Sequence, residues 1–332
     1  MNGKKGKIVL VTGATGKVGQ QFIRRFLQAP EWADAKIRAL CHNRLLEPNE
    51  RLEVVQGSMA ERGDVARAVD GVSHVLHLAT CKETPDAVMD VTVKGLFWLL
   101  EECRQTDSFE QLVLIGGDAG MGHFVYPHPI PVAETQKHSP YEGCYALSKV
   151  LEEVMLEQYY TQYDFNGCCL RAPWIMEKDD FKYTLSFGED VFGGPKWRQL
   201  VGAEKADEYI ASGAVPVMLD PQGQPMLRNF VHVEDLADAI LAALDHPAAR
   251  QQLFNICMDE PVDYRQMADY LKRTRSLPSV DISTPFHRTW LDNSKAKFLL
   301  GWRPRYDLEK LIDGAWDYQR ADDDPRIIWY PG

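Results

Sequence analysis

The chain has no basic surplus. Its 332 residues carry 37 Lys and Arg against 48 Asp and Glu, a formal net charge of −11. Proteins that hold nucleic acid through its phosphates show a positive field, so long-range attraction to a nucleic-acid partner is excluded. A small anionic ligand is not, because one local Arg or Lys decides that. The chain also lacks any apolar run of the roughly 20 residues that a bilayer-spanning helix needs. Met1–Gly6 (MNGKKG) is short and polar and leads straight into a strand-like segment, without a leader pattern. The expectation is a soluble, cytoplasmic protein with no membrane partner. Cysteine is sparse and unpatterned: Cys41, Cys81, Cys103, Cys144, Cys168, Cys169 and Cys257 make an odd count of seven, and no two form a Cys-x-x-Cys pair. That argues against a disulfide framework and a zinc ribbon, and reduced core thiols are expected. No His, Cys or Asp spacing suits a metal ion, so none is expected. There is no internal repeat and no low-complexity tract.

What is there is ordinary globular composition, 45% hydrophobic and 26% charged. Its apolar residues alternate between two periods. Strands are expected at Lys7–Thr12, Lys36–Cys41, Leu52–Gln56, Val72–Ala79, Leu112–Gly116 and Asn166–Arg171. Helices are expected at Gln20–Gln28, Ala60–Val69, Met89–Arg104 and Tyr145–Tyr160. Regular strand–helix alternation predicts an α/β protein with a Rossmann-type, doubly wound parallel sheet. After Pro173 the alternation stops, and it returns at Arg228–Leu244. The expected division is a dinucleotide-binding domain over 1–175, with 228–257 returning to it. A smaller, discontinuous C-terminal substrate domain would comprise 176–227 and 258–332.

Thr12-Gly13-Ala14-Thr15-Gly16-Lys17-Val18-Gly19 follows the first strand and opens the first helix. Gly13 permits a tight turn, Gly16 lets the backbone approach a pyrophosphate, and Gly19 lets helix and strand pack closely. The helix N-terminus adds free N–H groups and partial positive charge. A dinucleotide site is expected here. An NAD site usually ends its second strand in an acid that accepts from the ribose hydroxyl. Here Cys41 is followed by His42, Asn43 and Arg44, which leans the cofactor towards NADP over NAD. Tyr145-Ala-Leu-Ser-Lys149 sets a phenol and an ammonium one helical turn apart on one face. The ammonium favours phenolate, so the phenol can serve as acid or base near neutral pH.

With TGATGKVG and YALSK in these places, the chain resembles the extended short-chain dehydrogenase/reductases, the family of UDP-galactose 4-epimerase and the nucleotide-sugar dehydratases. HLA at His77–Ala79, LRAP at Leu170–Pro173, RNFVHVEDLADA at Arg228–Ala239, FNI at Phe254–Ile256 and LDNSKAKFLLGWRP at Leu291–Pro304 fit it too. The resemblance implies NAD or NADP contacts at Gly13, Thr15, Gly16, Lys17, Val18, Gly19, His42, Arg44, Ser58, Met59, Leu78, Ala79, Thr80, Tyr145, Lys149 and Pro173. His77 would pack under the cofactor strand. It implies a sugar-type small-molecule substrate near Thr80, Asp118, Trp174, Arg198 and Arg228, with Lys196–Arg198 in a substrate lid and Arg228 at the position that often grips a diphosphate. It also implies a homodimer through the helices at Met89–Arg104 and Tyr145–Tyr160.

Three departures stand out. The Ser or Thr that donates to the reacting oxygen is replaced by Gly117, the Asn after the sixth strand by Trp174, and the Asp near the adenine by Ser58. A water, Thr80, Asp118 or the substrate would have to supply the missing hydrogen bond. Dehydratases of this family carry Thr-Asp-Glu where Gly117-Asp118-Ala119 stands here, and Ala119 cannot titrate. The expected chemistry is therefore oxidation, reduction or epimerisation at a hydroxyl carbon, not loss of water, with Asp118 joining Tyr145 and Lys149 as a candidate acid or base. Two enzyme readings follow: a sugar or nucleotide-sugar epimerase or dehydrogenase, and a reductase of a small non-nucleotide carbonyl or sugar acid. A non-catalytic dinucleotide sensor would have no use for Tyr145 and Lys149.

Overall fold

The computed structural model describes residues 6–327; Met1–Lys5, within the polar start, lie outside them. The first strand, β1 (Ile8–Thr12), is made of β-branched and aliphatic residues. Val9, Leu10 and Val11 are fully buried, as a parallel strand covered on both faces requires. Around it run β2 (Lys36–Cys41), β3 (Leu52–Gln56), β4 (His74–His77), β5 (Gln111–Gly117), β6 (Gly167–Ala172) and β7 (Gln252–Asn255). They form one seven-stranded sheet in the order β7-β6-β5-β4-β1-β2-β3, and every neighbouring pair is parallel. β7 comes from the segment expected to return to the sheet.

Helices α1 (Lys17–Gln28) and α5 (Val233–Ala243) cover one face through Phe22, Phe26, Leu236 and Ile240. Helices α2 (Arg62–Val69), α3 (Gly95–Arg104) and α4 (Cys144–Tyr163) cover the other through Val65, Leu96, Leu99 and Leu156. The chain reverses its direction of travel between β1 and β4. Open α/β sheets take ligands in the crevice at such a reversal, and the Gly-rich turn and Tyr145 both lie on that side.

The boundaries differ from expectation where tertiary contacts overrule local signal. α1 starts at Lys17, before the expected Gln20. Gly19 is a weak helix former, but a Cβ there would meet the Gly13 carbonyl oxygen at 2.5 Å, so close packing fixes it inside the helix. β4 stops at His77 because the backbone N–H groups of Leu78 and Ala79 donate to Thr12 Oγ1, at 3.1 and 3.2 Å. The helix expected over Met89–Arg104 opens with wide, π-type turns at Val88–Lys94 before α3.

Residues beyond 176 build a second core around Phe181, Trp197, Met218, Phe230, Tyr264 and Leu271. Strand Val215–Leu219 pairs there in parallel with Ser279–Ser283. Lys196–Arg198, expected in a lid, instead opens this core's packing. Trp197 is fully buried, and its indole N–H donates to the Thr184 carbonyl at 2.8 Å. Phe181 and Trp197, in the stretch without alternation, are core residues on short helices. No helix among the described residues is long and apolar enough to cross a membrane.

Candidate active site

The Gly-rich turn has the shape the spacing predicts. Gly13 has φ +65°, and a Cβ there would lie 2.9 Å from the Ala79 nitrogen. Gly16 caps α1 in extended conformation without a side-chain partner, leaving the first turn's N–H groups open to an anion. A Cβ on Gly16 would crowd the Gly13 carbonyl at 3.2 Å. A dinucleotide pyrophosphate fits this cradle; a side chain does not. Thr15 is buried, and its carbonyl accepts from Gln20 Nε2 (2.7 Å) and Arg44 Nη2 (3.0 Å). Val18 packs on the core beneath. Lys17 is drawn away from the turn. Its ammonium pairs with Asp180, donates to the Ile175 carbonyl at 3.1 Å and lies 4.4 Å from the Phe192 ring centroid. Its side chain thus ties α1 to the second core.

His42 and Arg44 flank the turn after β2, with Arg44 half-buried and His42 exposed. Ser58 accepts from the Ala60 N–H at 3.2 Å and donates its own N–H to Asp64 Oδ2 at 2.8 Å. That bond is the first cause holding the Asp64 carboxyl below its ordinary range. Met59 is buried beside Gly95. His77 is buried and shares a 2.8 Å hydrogen bond with Thr12 Oγ1. Since that oxygen already accepts two backbone N–H groups, its own proton goes to His77 Nδ1. Burial takes the imidazole down to about 3, so His77 is a neutral packing residue. Leu78 and Ala79 are half-buried at the mouth and Thr80 is exposed there. Pro173 stands between β6 and Trp174 at the same edge.

Tyr145 is half-buried at the start of α4 with its phenol deep in the fold. Burial pushes the phenol up, but the charges of Lys82 and then Lys149 outweigh it, and the group titrates below a free phenol. Lys149 is enclosed. Its ammonium lies 2.8 Å from buried Glu152 and 3.5 Å from the Ile115 carbonyl, and 5.7 Å from the Tyr145 ring centroid. Lys82 is exposed and approaches from the open side, 3.5 Å from that centroid and 5.9 Å from the Trp174 ring. Sequence reasoning missed Lys82. It sits in a loop without periodicity, and its neighbour Tyr145 comes more than sixty residues later in the chain.

Gly116 and Gly117 differ sharply. A Cβ on Gly116 would strike Cys169 Sγ at 2.7 Å, whereas one on Gly117 would have room, 3.6 Å from Lys149 and 3.8 Å from the Tyr145 oxygen. Gly117 is also extended, so neither space nor backbone demands glycine. Asp118 follows, buried, with His123 Nδ1 2.5 Å from its Oδ1 but off axis for an aligned hydrogen bond. His123 stacks on Tyr141, with centroids 5.1 Å apart. The Tyr141 phenol is raised chiefly by burial, and by the charges of Tyr145, Glu83 and Asp118. His123 is the second residue the sequence did not signal.

The expected substrate groups fare unevenly. Arg228 is 1% exposed. Its guanidinium donates to the Gly193 carbonyl (2.8 Å) and Tyr264 hydroxyl (3.2 Å) and lies 4.2 Å from the Phe124 ring centroid. Arg198 is corrected: it pairs with Asp207 at 2.6 Å on the exposed side of the second core. Trp174 meets Phe192 edge-on at 5.3 Å. Far from this cleft, His74, Glu110 and Asp245 cluster at the other end of the sheet; Lys7 lies 2.7 and 3.5 Å from the two carboxylates and balances them.

Residues 9–176, just over half of the chain, match the family model described as "NAD dependent epimerase/dehydratase family". The chain is 22% identical to a bifunctional dihydroflavonol 4-reductase/flavanone 4-reductase of Malus domestica, over 96% of this chain and 92% of that one. It is 23% identical to a UDP-glucose 4-epimerase of Lacticaseibacillus casei, over 93% and 96%. Among solved structures it resembles a short-chain dehydrogenase/reductase superfamily protein of Agrobacterium tumefaciens with bound NAD (TM-score 0.77, 23% identity, 94% and 96% covered). It also resembles a UDP-glucose 4-epimerase of Thermotoga maritima with UDP-glucose (TM-score 0.70, 19% identity, 94% and 98% covered). With the Gly cradle and the Tyr145–Lys149 pair in the crevice of a doubly wound sheet, this chain belongs to the NAD-dependent epimerase/dehydratase family, an enzyme family of the extended short-chain dehydrogenase/reductase type.

Proposed function

We propose that this protein is an NAD(P)-dependent oxidoreductase of a small, non-nucleotide carbonyl or sugar-acid substrate, working reversibly at a hydroxyl carbon. The observation that carries this is Arg228. Its guanidinium is enclosed, bonded to a carbonyl and a phenol and covered by Phe124, which does not favour a diphosphate grip. Trp174 in place of an Asn supports the same reading. The cleft wall is aromatic, with Trp174, Phe192, Phe124 and Tyr141 around it. A nucleotide-sugar epimerase is the second reading, favoured by the likeness to UDP-glucose 4-epimerases.

A bound nicotinamide dinucleotide supplies hydride exchange. The Gly13–Gly19 turn and the N-terminus of α1 would hold its phosphates, and Lys149 its nicotinamide ribose. Tyr145 gives or takes the proton at the substrate oxygen, with the nearby ammonium charge keeping its phenol available. The test is a panel of sugar acids, small ketones and nucleotide sugars, followed by nicotinamide absorbance and product mass. Turnover of nucleotide sugars alone would overturn the proposal.

Arg44 beside the turn supports NADP over NAD. Arg44→Ala should weaken NADP binding about tenfold, the scale of one lost charge-assisted hydrogen bond, and change NAD binding little. Fluorescence titration of both cofactors decides; tighter NAD binding by the unmodified protein would reverse the preference. Phe97 on α3 and Leu147 and Val154 on α4 are exposed, which supports a homodimer through these helices. Leu147→Glu should then convert a dimer into monomers in light scattering, and a monomeric parent protein would refute the interface.

A further inference from the structure

The missing hydroxyl at Gly117 leaves one question open: what donates to the reacting oxygen besides Tyr145. The structure narrows the choices. A substrate oxygen that bonds Tyr145 must come from the open side, because Lys149 and its partner Glu152 fill the buried side. Asp118 lies against His123, and a carboxylate could donate only if protonated. Thr80 is near the mouth but is exposed and without a hydrogen bond that fixes it in place. Lys82 is different. Its ammonium rests on the open face of the Tyr145 ring and within 5.9 Å of the Trp174 ring, between the two walls a substrate must pass. The loop beneath it is anchored, since the adjacent Cys81 N–H donates to Thr92 Oγ1 at 2.9 Å. An ammonium has three donors and a flexible four-carbon stem. A small swing off the ring brings one N–H to an oxygen already facing Tyr145, and Lys82 keeps its proton throughout.

We propose that Lys82 is a catalytic residue that supplies, at the reacting oxygen, the hydrogen bond a Ser or Thr at position 117 would give. The proposal rests on the oxidoreductase reading. Its consequence for substrate class is a preference for a hydroxy or keto acid, whose carboxylate beside the reacting carbon also attracts the Lys82 ammonium. The charged groups that act on Tyr145 are Lys82, Lys149 and Glu152, and its neighbour Tyr141 is acted on in turn by Glu83 and Asp118.

The experiment uses the full chain with Lys82→Met, Lys82→Arg and Gly117→Ser, alone and combined. Lys82 is exposed, so changes there leave the core intact, and Gly117, though buried, has room for a Cβ. Two measurements are made. The first titrates the Tyr145 phenol by difference ultraviolet absorbance against Tyr145→Phe and needs no substrate. Lys82→Met should move that titration up by about one pH unit, and Lys82→Arg should leave it near its original place. The second measures kcat on the substrate found in the panel. Lys82→Met should lower it about 10²-fold, the scale of one lost oxyanion donor. Gly117→Ser should recover about tenfold in that background, because its Cβ would stand 3.8 Å from the Tyr145 oxygen. A purely structural Lys82 would not be rescued from position 117. An unmoved phenol titration, an undiminished kcat or the absence of Ser rescue overturns the proposal. If the parent protein turns over nothing in the panel, the oxidoreductase reading fails, while the phenol titration still judges Lys82.

Discussion

Tyr145→Phe should reduce kcat by about 10²- to 10⁴-fold, the range that a positioned general acid or base contributes, with little change in dinucleotide affinity. Phenylalanine keeps the ring, so the surface that Lys82 and Gly117 face is preserved. Only the transferable proton goes. The loss should therefore fall on kcat, with KM moving little, as for an interaction made at the transition state. Single-turnover kinetics and cofactor titration on the same preparation separate the two. Retention of most activity would mean that another group carries the proton, and the Asp118–His123 pair would be the next to replace.

The largest effect on stability should come from Arg171→Ala. Arg171 on β6 and Glu153 on α4 are both nearly sealed from solvent, at 1% and 3% side-chain exposure. The guanidinium donates twice to the carboxylate, at 3.0 and 2.7 Å, and His138 adds a third contact at 2.8 Å. Removing one partner of a buried pair strands the other charge, which typically costs about 3–5 kcal/mol. Urea denaturation of Arg171→Ala should show that loss. The double change Arg171→Met with Glu153→Met should recover much of it, because neither charge is then stranded. The pair also makes stability depend on acid. Burial raises the Glu153 carboxyl, but His138 and Arg171 outweigh it, and the group ends below its ordinary 4.5. Its folded value is below the unfolded one, so its contribution is complete above about pH 4.5 and fades as pH falls through the folded value. A denaturation midpoint that is flat from neutral pH to well below that range would contradict this.

The sheet and the turn were legible because their signals are local. β2 and β3 fall on Lys36–Cys41 and Leu52–Gln56 as expected, since short segments with apolar residues between turn signals have few other solutions. The Gly13–Gly19 turn was readable for a similar reason: Gly16 and Gly19 answer contacts within the same strand–turn–helix unit, and Gly13 takes the positive φ of the tight turn while approaching Leu78 and Ala79. The geometry around Tyr145 was only half legible. Its spacing to Lys149 is helical and visible, but Lys82 reaches it from another loop. His123 reaches Asp118 through a left-handed backbone turn, with φ +47°, that no residue pattern announced. Trp197 was misjudged because five-residue helices carry too little periodicity to separate core from loop. Lys17 was assigned by its place in a motif, and a carboxylate 163 residues away claimed it.

That last contact bears on how freely the two halves of such a chain can be exchanged. Lys17 and Asp180 are both largely shielded from water, at 12% and 8% side-chain exposure. One belongs to the Gly-rich turn that opens the first helix and the other to the second core. A chimaera that imports residues 176–227 from a relative without an acid at position 180 would leave the Lys17 ammonium without its carboxylate where α1 meets the second core. The cofactor half would then be compromised by a change made only in the other half. Grafting a new specificity onto this scaffold therefore means moving positions 17 and 180 together, as a single unit of inheritance.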